Sequence, residues 1–218
     1  MQPSQYLTET RSLNVLAIDG GGVRGLSSLL ILKQIMDQLQ RTVGLKSMLL
    51  RPWQIFDVIC GTSTGGLIAI MLGRLRMTID EAIEHYRALC KSVFGSPKWF
   101  GGLRNKLFGT PIYKSSKLEK RIKRIAKRSN ATYYNGEALL YEPKTEKLDG
   151  VYCHTFVVAI RKSQAAAPPE LFTSYSPEDS YKIWESARAT TATAEFFDPV
   201  EVRVGTGPPV AYLVRSIL

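Results

Sequence analysis

The sequence predicts an α/β domain with a largely parallel central sheet, because short apolar runs alternate with longer helical patterns along its 218 residues. Residues 13–18, 55–60 and 155–160 have the length and composition of buried strands. The first two runs lead directly into glycine-rich turns, the kind of loop that carries function at the carboxyl end of a parallel sheet. With 44% hydrophobic residues, the chain can form the core of one sizeable domain.

Helices are predicted between these strands. After the first glycine turn, apolar residues recur at helical spacing, which predicts a helix packed on the sheet: Leu26, Leu29, Leu30, Met36 and Leu39. Residues 67–72 are apolar on every side and predict a buried helix, while Thr78 and Glu81 form a capping box that opens another helix, ending at Leu89 or Val93. Further helices are expected at residues 114–128 and 181–189, with a Gly- and Pro-rich loop at 94–111.

Composition excludes several classes of protein. The N-terminus has no apolar signal-peptide core, and no apolar run is long enough to span a bilayer, so we expect a cytoplasmic protein, at most peripheral on membranes. Its cysteines, Cys60, Cys90 and Cys153, are widely spaced and form no C-x-x-C pair. This pattern argues against a zinc site and against a disulfide framework, and it favours a reducing compartment.

The segment Gly61-Thr62-Ser63-Thr64-Gly65 has the form G-x-S-x-G. Between an apolar strand and an apolar helix, this pattern is typical of a tight turn that exposes a nucleophilic serine. Glycines remove side chains that the turn could not accommodate, and the N-terminus of the following helix favours a developing negative charge near Ser63. The alternative is a glycine-rich turn that merely contains a serine.

The run Asp19-Gly20-Gly21-Gly22-Val23-Arg24-Gly25 follows the first strand. Its glycines, Gly20, Gly21 and Gly22, could bring backbone N–H groups close to an oxyanion, which with Ser63 indicates a serine acyl hydrolase. The same run matches the G-x-G-x-x-G dinucleotide fingerprint, but the acidic residue expected at the end of the second strand is missing. Arg24 is interpreted as holding the loop, attracting an anionic head group or forming a salt bridge.

The catalytic base is not evident from the sequence. The chain has two histidines, His85 within a helical pattern and His154 before the third strand, and neither has the late position that a Ser-acid-His order requires. Both are interpreted as structural. A base other than histidine is therefore expected, or none.

Three ordered motifs, DGGGVRG, GTSTGG and IWESARATTATAEFFDPV, resemble the patatin-like phospholipases, particularly the fungal members, over residues 13–202. The resemblance implies a three-layer α/β/α domain that hydrolyses phospholipid or acylglycerol esters with a Ser–Asp dyad and without a cofactor or a metal. Ser63 would be the nucleophile and Gly20, Gly21 and Gly22 the oxyanion hole, with Arg24, Gly61, Thr64 and Gly65 in supporting positions. The domain would occupy residues 13–204, between a tail at 1–12 and an atypical tail at 205–218.

The sequence departs from this family in one respect. The family's aspartate lies in a D-G-G or D-G-A motif soon after the segment equivalent to residues 196–202, and no such motif follows here. Asp19-Gly20 belongs to the glycine loop, Asp149-Gly150 is interpreted as a turn, and Asp198 matches a non-catalytic position. We therefore expect a C-terminally incomplete domain with reduced activity, or an inactive relative that binds lipid or a partner.

Positive charge is concentrated in the predicted helix at residues 114–128. This stretch contains eight basic residues and a single acidic one, Glu119, against a net charge of +10 for the chain: Lys114, Lys117, Lys120, Arg121, Lys123, Arg124, Lys127 and Arg128. Together with Trp99 and Phe100 in the preceding loop, the helix suits adsorption to an anionic bilayer. The alternative is a solvated helix face; nucleic acid is not an expected partner, because no recognised motif accompanies the charge.

Overall fold

The computed structural model describes residues 12–44, 49–93, 113–128, 136–143, 152–164, 166–178, 181–194, 196–203 and 207–214. Its strands are β1 (Val15–Ile18), β2 (Val58–Thr62), β3 (His154–Arg161), β4 (Glu170–Thr173), β5 (Val200–Val202) and β6 (Val210–Leu213). Its α-helices are α1 (Gly25–Val43), α2 (Pro52–Ile55), α3 (Thr64–Ala69), α4 (Ile79–Val93), α5 (Ser115–Arg128) and α6 (Ile183–Thr191). This succession of strands and helices confirms the predicted α/β class.

The parallel part of the sheet consists of β1, β2 and β3, in that spatial order. Ile18 at the end of β1 pairs with Gly61, and Thr62 at the end of β2 pairs with Val158. The loops that follow β1 and β2 therefore emerge side by side at the same edge of the sheet, which brings together the two glycine motifs.

Antiparallel strands complete the far side of the sheet. Strands β4 and β6 share the second edge of β3, with β4 along residues 156–159 and β6 along 160–161, and β5 pairs with β6. The three short strands β4, β5 and β6 were not predicted, because each is only three or four residues long and each is defined by its pairing.

The segment predicted to be a buried helix is the centre of the core. Helix α3 continues directly as a π-helix, Ile70–Arg74, and every residue from Thr64 to Arg74 is buried. Helix α1 packs on the core through Leu29 and Met36, but Leu30, which was expected to pack as well, is 42% exposed. Leu30 lies about 100° around the helix from Leu29, on the flank that faces away from the sheet.

The second strand begins later than predicted. Residues 55–60 were expected to be extended, but Pro52 begins the short helix α2, which ends at Ile55. Proline is favoured at the first position of a helix, where its missing N–H is not needed. Strand β2 consequently covers Val58–Thr62 and carries the first two residues of the serine motif.

The capping box at the start of α4 is confirmed. The Thr78 N–H donates to the Glu81 carboxylate at 2.8 Å, and the Glu81 N–H donates to the Thr78 hydroxyl at 3.1 Å. In α5 the apolar residues Leu118, Ile122 and Ile125 are all buried. The predicted loop at residues 94–111, with Trp99 and Phe100, lies outside the described residues. None of the described helices is both long enough and apolar enough to cross a membrane.

Candidate active site

Ser63 occupies the sharp turn between β2 and α3. Its backbone has φ 53° and ψ −129°, a conformation that L-residues rarely adopt and that costs on the order of 1–3 kcal/mol. The turn is closed by the first hydrogen bond of the helix, in which the Leu67 N–H donates to the Ser63 carbonyl at 3.2 Å. The side chain is half-buried. Such a strand-to-helix turn is the geometry that the G-x-S-x-G pattern predicts.

The glycines around Ser63 are required by close backbone contacts. A Cβ on Gly61 would lie 2.6 Å from the Ile18 carbonyl oxygen, and a Cβ on Gly65 would overlap the same oxygen. A Cβ on Gly66 would lie 2.8 Å from the Thr190 methyl carbon. Real Cβ atoms do not approach so closely, so the turn packs against β1 and α6 only because these positions lack side chains.

Thr190 holds the serine turn from the opposite side. This residue lies near the end of α6 and is fully buried, and its hydroxyl oxygen accepts the Ser63 N–H at 3.0 Å. The hydrogen bond joins residues 127 positions apart in the chain. The motif that contains Thr190 was recognised in the sequence, but no role could be assigned to Thr190 itself, because its pairing with Ser63 arises from the tertiary fold.

The glycine loop lies directly against Ser63. A Cβ added to Gly20 would lie 2.8 Å from the Ser63 Cβ and 3.5 Å from its Oγ. Gly22 has φ +58°, a backbone conformation that would be strained in a residue with a side chain. The two motifs predicted from the sequence are therefore brought together, with the backbone of the loop beside the serine hydroxyl.

Hydrogen bonds fix the loop on several sides. The Gly21 N–H donates to the Thr64 hydroxyl oxygen at 3.2 Å, and the Tyr86 hydroxyl donates to the Gly22 carbonyl at 2.5 Å. The backbone N–H and the Nε of Arg24 donate to the Gly21 carbonyl at 3.2 and 3.4 Å. Of the three interpretations of Arg24, these hydrogen bonds agree with the one in which Arg24 holds the loop. Within the described residues, no hydrogen bond engages the Gly22 N–H.

Burial raises the pKa of Tyr86 to about 12, and this effect outweighs the smaller lowering of the pKa by the neighbouring Thr64 hydroxyl. The phenol therefore stays neutral and keeps its proton for the Gly22 carbonyl throughout the neutral range. Sequence reasoning missed this residue. The available signal was a tyrosine on the buried face of α4, since buried tyrosine hydroxyls usually find a partner.

Among the described residues, no side chain forms a hydrogen bond with the Ser63 hydroxyl. His154 is paired with Val58 at the beginning of β2, whereas Ser63 follows its end, so the two are separated by about 16 Å at roughly 3.3 Å per strand residue. The His154 ring packs edge-on against Tyr152 and Tyr175, with centroids at 4.5 and 4.7 Å. These contacts agree with its interpretation as a structural histidine.

The remaining candidates for a base lie elsewhere. His85 is a half-buried residue of α4. The Asp198 carboxylate accepts a hydrogen bond from the Ser115 hydroxyl at 3.4 Å, and its backbone carbonyl accepts one from Arg188 at 2.9 Å, so it joins α5 to α6. Asp149 lies outside the described residues. In the described part of the chain, no three His, Cys, Asp or Glu residues are grouped as metal ligands would be.

Comparison with known proteins adds independent information. A family model described as patatin-like phospholipase matches residues 16–212. Calcium-independent phospholipase A2-gamma of Rattus norvegicus is 29% identical over 195 residues, which is 86% of this chain and 23% of that protein. Phospholipase A I of Arabidopsis thaliana is 31% identical over 201 residues, 84% of this chain and 14% of that protein. Patatin-like protein 1 of Arabidopsis thaliana is 30% identical over 200 residues, 86% of this chain and 43% of that protein.

The chain thus spans less than half the length of each of these three relatives. Among solved structures, a crystal structure of VipD from Legionella pneumophila is similar to 95% of this chain and 46% of its own, with a TM-score of 0.49 and 14% sequence identity.

Proposed function

Because the chain belongs to the patatin-like phospholipase family, we propose that it is a lipid acyl hydrolase that uses Ser63 as its nucleophile. The substrates are esters of phospholipids, the class named by the family and by the phospholipase relatives, or of other acylglycerols. One observation carries the proposal. Ser63 sits in a strained turn at the carboxyl end of β2, with its hydroxyl beside the glycine loop and without a hydrogen bond to any described side chain.

The reaction proceeds in two steps. The Ser63 oxygen attacks the ester carbonyl as its proton passes to a base, the tetrahedral intermediate expels the alcohol with a proton, and an acyl-enzyme remains. Water then attacks the acyl-enzyme, releases the fatty acid and returns the proton to Ser63. The backbone of residues 20–22 stabilises the oxyanion, and loss of one such donor typically costs about 3 kcal/mol in the transition state.

Gly22 has a backbone N–H that is available for this role. Its N–H is not engaged within the described residues, whereas the N–H of Gly21 is taken by the Thr64 hydroxyl. An oxyanion could replace that hydroxyl as the acceptor for Gly21, since both are oxygen acceptors. Gly61 and Gly65 contribute through the close packing of the turn, and Arg24 contributes by holding the Gly21 carbonyl.

A second function competes with hydrolysis. The family resemblance implies an aspartate as the base, and no described side chain hydrogen-bonds to the Ser63 hydroxyl. Loss of a catalytic partner typically lowers turnover about 10⁴-fold. The competing proposal is therefore a relative that binds lipid or a partner protein without turnover.

Hydrolysis of a short-chain chromogenic ester and of phospholipid vesicles by the 218-residue chain separates these proposals. Ser63→Ala should abolish turnover, while Ser116→Ala, which removes an exposed hydroxyl on α5, should leave it unchanged. Equal turnover by Ser63→Ala and the parent chain would overturn the assignment of Ser63. A folded chain that binds vesicles but hydrolyses neither substrate would establish the binding function instead.

We propose in addition that α5 brings the domain to an anionic bilayer, such as the cytoplasmic leaflet. Four of its cations, Lys117, Lys120, Arg124 and Lys127, are exposed along the side opposite the buried apolar face. Lys123, by contrast, is neutralised by Glu119 at 3.0 Å and by Glu137 at 2.7 Å. Each basic residue near an anionic surface contributes about 1 kcal/mol, so the four together support reversible adsorption.

Vesicle cosedimentation tests this surface. The double change Lys120→Glu/Arg124→Glu should weaken binding to phosphatidylserine-containing vesicles at least tenfold and leave binding to neutral vesicles unaltered. A matched pair, Arg87→Glu/Lys91→Glu, makes the same charge change at the same spacing on exposed positions of α4. If both pairs weaken binding equally, net charge rather than the α5 surface determines adsorption.

A further inference from the structure

A buried tyrosine lies beneath the glycine loop. Tyr86 of α4 is 0% exposed, and its hydroxyl donates to the Gly22 carbonyl at 2.5 Å. Its ring fills the space beside Gly25, where an added Cβ would meet the phenol Cζ at 2.8 Å. Packing on this side therefore fixes where the Tyr86 hydroxyl can lie.

Thr64 extends this contact to the other side of the loop. Its hydroxyl oxygen accepts the Gly21 N–H at 3.2 Å, so a second hydroxyl holds the loop one residue before Gly22. Thr64 is 4% exposed, so neither hydroxyl is open to bulk water. Two buried hydroxyls thus hold the loop at consecutive residues, Thr64 at the Gly21 N–H and Tyr86 at the Gly22 carbonyl.

These two hydrogen bonds determine the orientation of the peptide between Gly21 and Gly22. The peptide before it is held through the Gly21 N–H, and the one after it through the Gly22 carbonyl. Its own carbonyl, that of Gly21, accepts two hydrogen bonds from Arg24. Because the peptide is planar and trans, its N–H, that of Gly22, points away from Arg24.

We propose that Tyr86 is a positioning residue for the oxyanion loop: acting with Thr64, it orients the Gly22 N–H toward the reacting carbonyl of the substrate. The inference rests on the proposed function of Ser63 and deepens it. Tyr86 does not touch the substrate in this account. Its effect should appear in turnover, since a displaced donor weakens transition-state stabilisation more than substrate binding.

The test compares Tyr86→Phe with Tyr212→Phe. Both changes remove one hydroxyl from a tyrosine that is at most 1% exposed. Tyr212 lies on β6, away from the loop, and its hydroxyl donates to Glu170 at 2.9 Å. With the chromogenic ester, Tyr86→Phe should lower kcat at least tenfold with little change in KM. Tyr212→Phe should change kcat less than twofold at a similar decrease in Tm. Equal kcat values for the two variants would overturn the proposal.

Amide hydrogen exchange provides a measurement that needs no turnover. Tyr86→Phe should accelerate exchange at Gly21 at least tenfold, because the loop is then released at the Gly22 carbonyl and opens more often, and Tyr212→Phe should not. Unchanged exchange would overturn the role of Tyr86 even if the chain is active. An inactive parent chain that shows the accelerated exchange would overturn the function of Ser63 alone. If Tyr86→Phe does not fold, Thr64→Val releases the same loop at the Gly21 N–H and should lower kcat to a similar extent, and an unchanged kcat would overturn the proposal.

Discussion

Two non-glycine residues in the described part of the chain have positive φ, and they flank the same buried helix. Ser63 precedes the helical segment at residues 64–74 and Arg76 follows it, and both have φ 53°. One lies at the carboxyl end of β2, beside the glycine loop. The other lies beyond the opposite end of the helix. A positive φ is therefore present at two places, one at each end of the helical segment.

The difference lies in what the side chains do. The Arg76 guanidinium contacts the buried Glu142 carboxylate at 2.8 Å and lies 5.0 Å above the centre of the Trp53 ring. Its backbone carbonyl also accepts a hydrogen bond from Arg51. The Ser63 hydroxyl, in contrast, has no hydrogen bond to a described side chain. Strain at Arg76 is balanced by structural contacts, so positive φ alone does not identify a functional site. A better indicator is a reactive side chain without a hydrogen bond that lies beside a backbone N–H without an acceptor.

The largest expected difference between the two residues is in ester hydrolysis, when Ser63 is replaced by glycine. Glycine adopts φ 53° without strain, so the free energy of unfolding should stay equal or rise by about 1 kcal/mol. Ester hydrolysis should fall at least about 10⁴-fold, because the nucleophile is gone. Urea unfolding and turnover of the chromogenic ester measure the two effects. A loss of stability greater than about 2 kcal/mol would mean that the hydroxyl is structural, contrary to the comparison.

Replacing Arg76 by glycine should have the opposite result. Relief of strain is outweighed by the loss of the closest partner of Glu142. This carboxylate is 5% exposed, and among the described residues its remaining cationic partner is the more distant Arg74 at 3.8 Å. We expect a net loss of about 2 kcal/mol in the free energy of unfolding, with ester hydrolysis retained. Adding Glu142→Gln should recover part of the loss, because the buried side chain that has lost its closest partner is then uncharged. A double variant no more stable than Arg76→Gly would show that the carboxylate is not the cause.

The parallel strands were predictable because each is a short apolar run between turn residues, a signal that does not depend on tertiary contacts. The start of β2 was misplaced by three residues, since the helical turn begun by Pro52 competes with the apolar pattern at Ile55. Strands β4, β5 and β6 carry polar residues such as Glu170 and Glu201 and exist through pairing with β3 or with each other. Such strands have little signal of their own.

The candidate site divides in the same way. Ser63 and the glycine loop were predictable, because tight turns impose residue types on neighbouring positions in the chain. Thr190 and Tyr86 lie 127 and 64 positions from the groups they bind, and nothing local specifies those pairings. Sequence patterns therefore identified the backbone elements of the site, while the side chains that hold them required the fold.

The smallest expected effect concerns Glu137, an exposed counterpart of Glu142. Its carboxylate accepts hydrogen bonds from Lys123 and Lys182, in that order of influence, and they lower its pKa to about 2. A carboxylate whose pKa is lower in the folded state stabilises the fold above its unfolded pKa of about 4.5, and this contribution is lost as the pH falls toward 2. Its side chain is 49% exposed, so solvent screens the interaction.

Glu137→Gln should therefore lower the free energy of unfolding at pH 7 by no more than about 1 kcal/mol, and by less in high salt. The difference from the parent chain should shrink as the pH falls from 4.5 and vanish near pH 2, as followed by urea unfolding at each pH. Glu201→Gln, on an exposed position of β5, serves as the matched control. If Glu137→Gln destabilises the protein as much as Arg76→Gly does, then the burial of Glu142 is not the reason why its contact with Arg76 can balance a strained backbone.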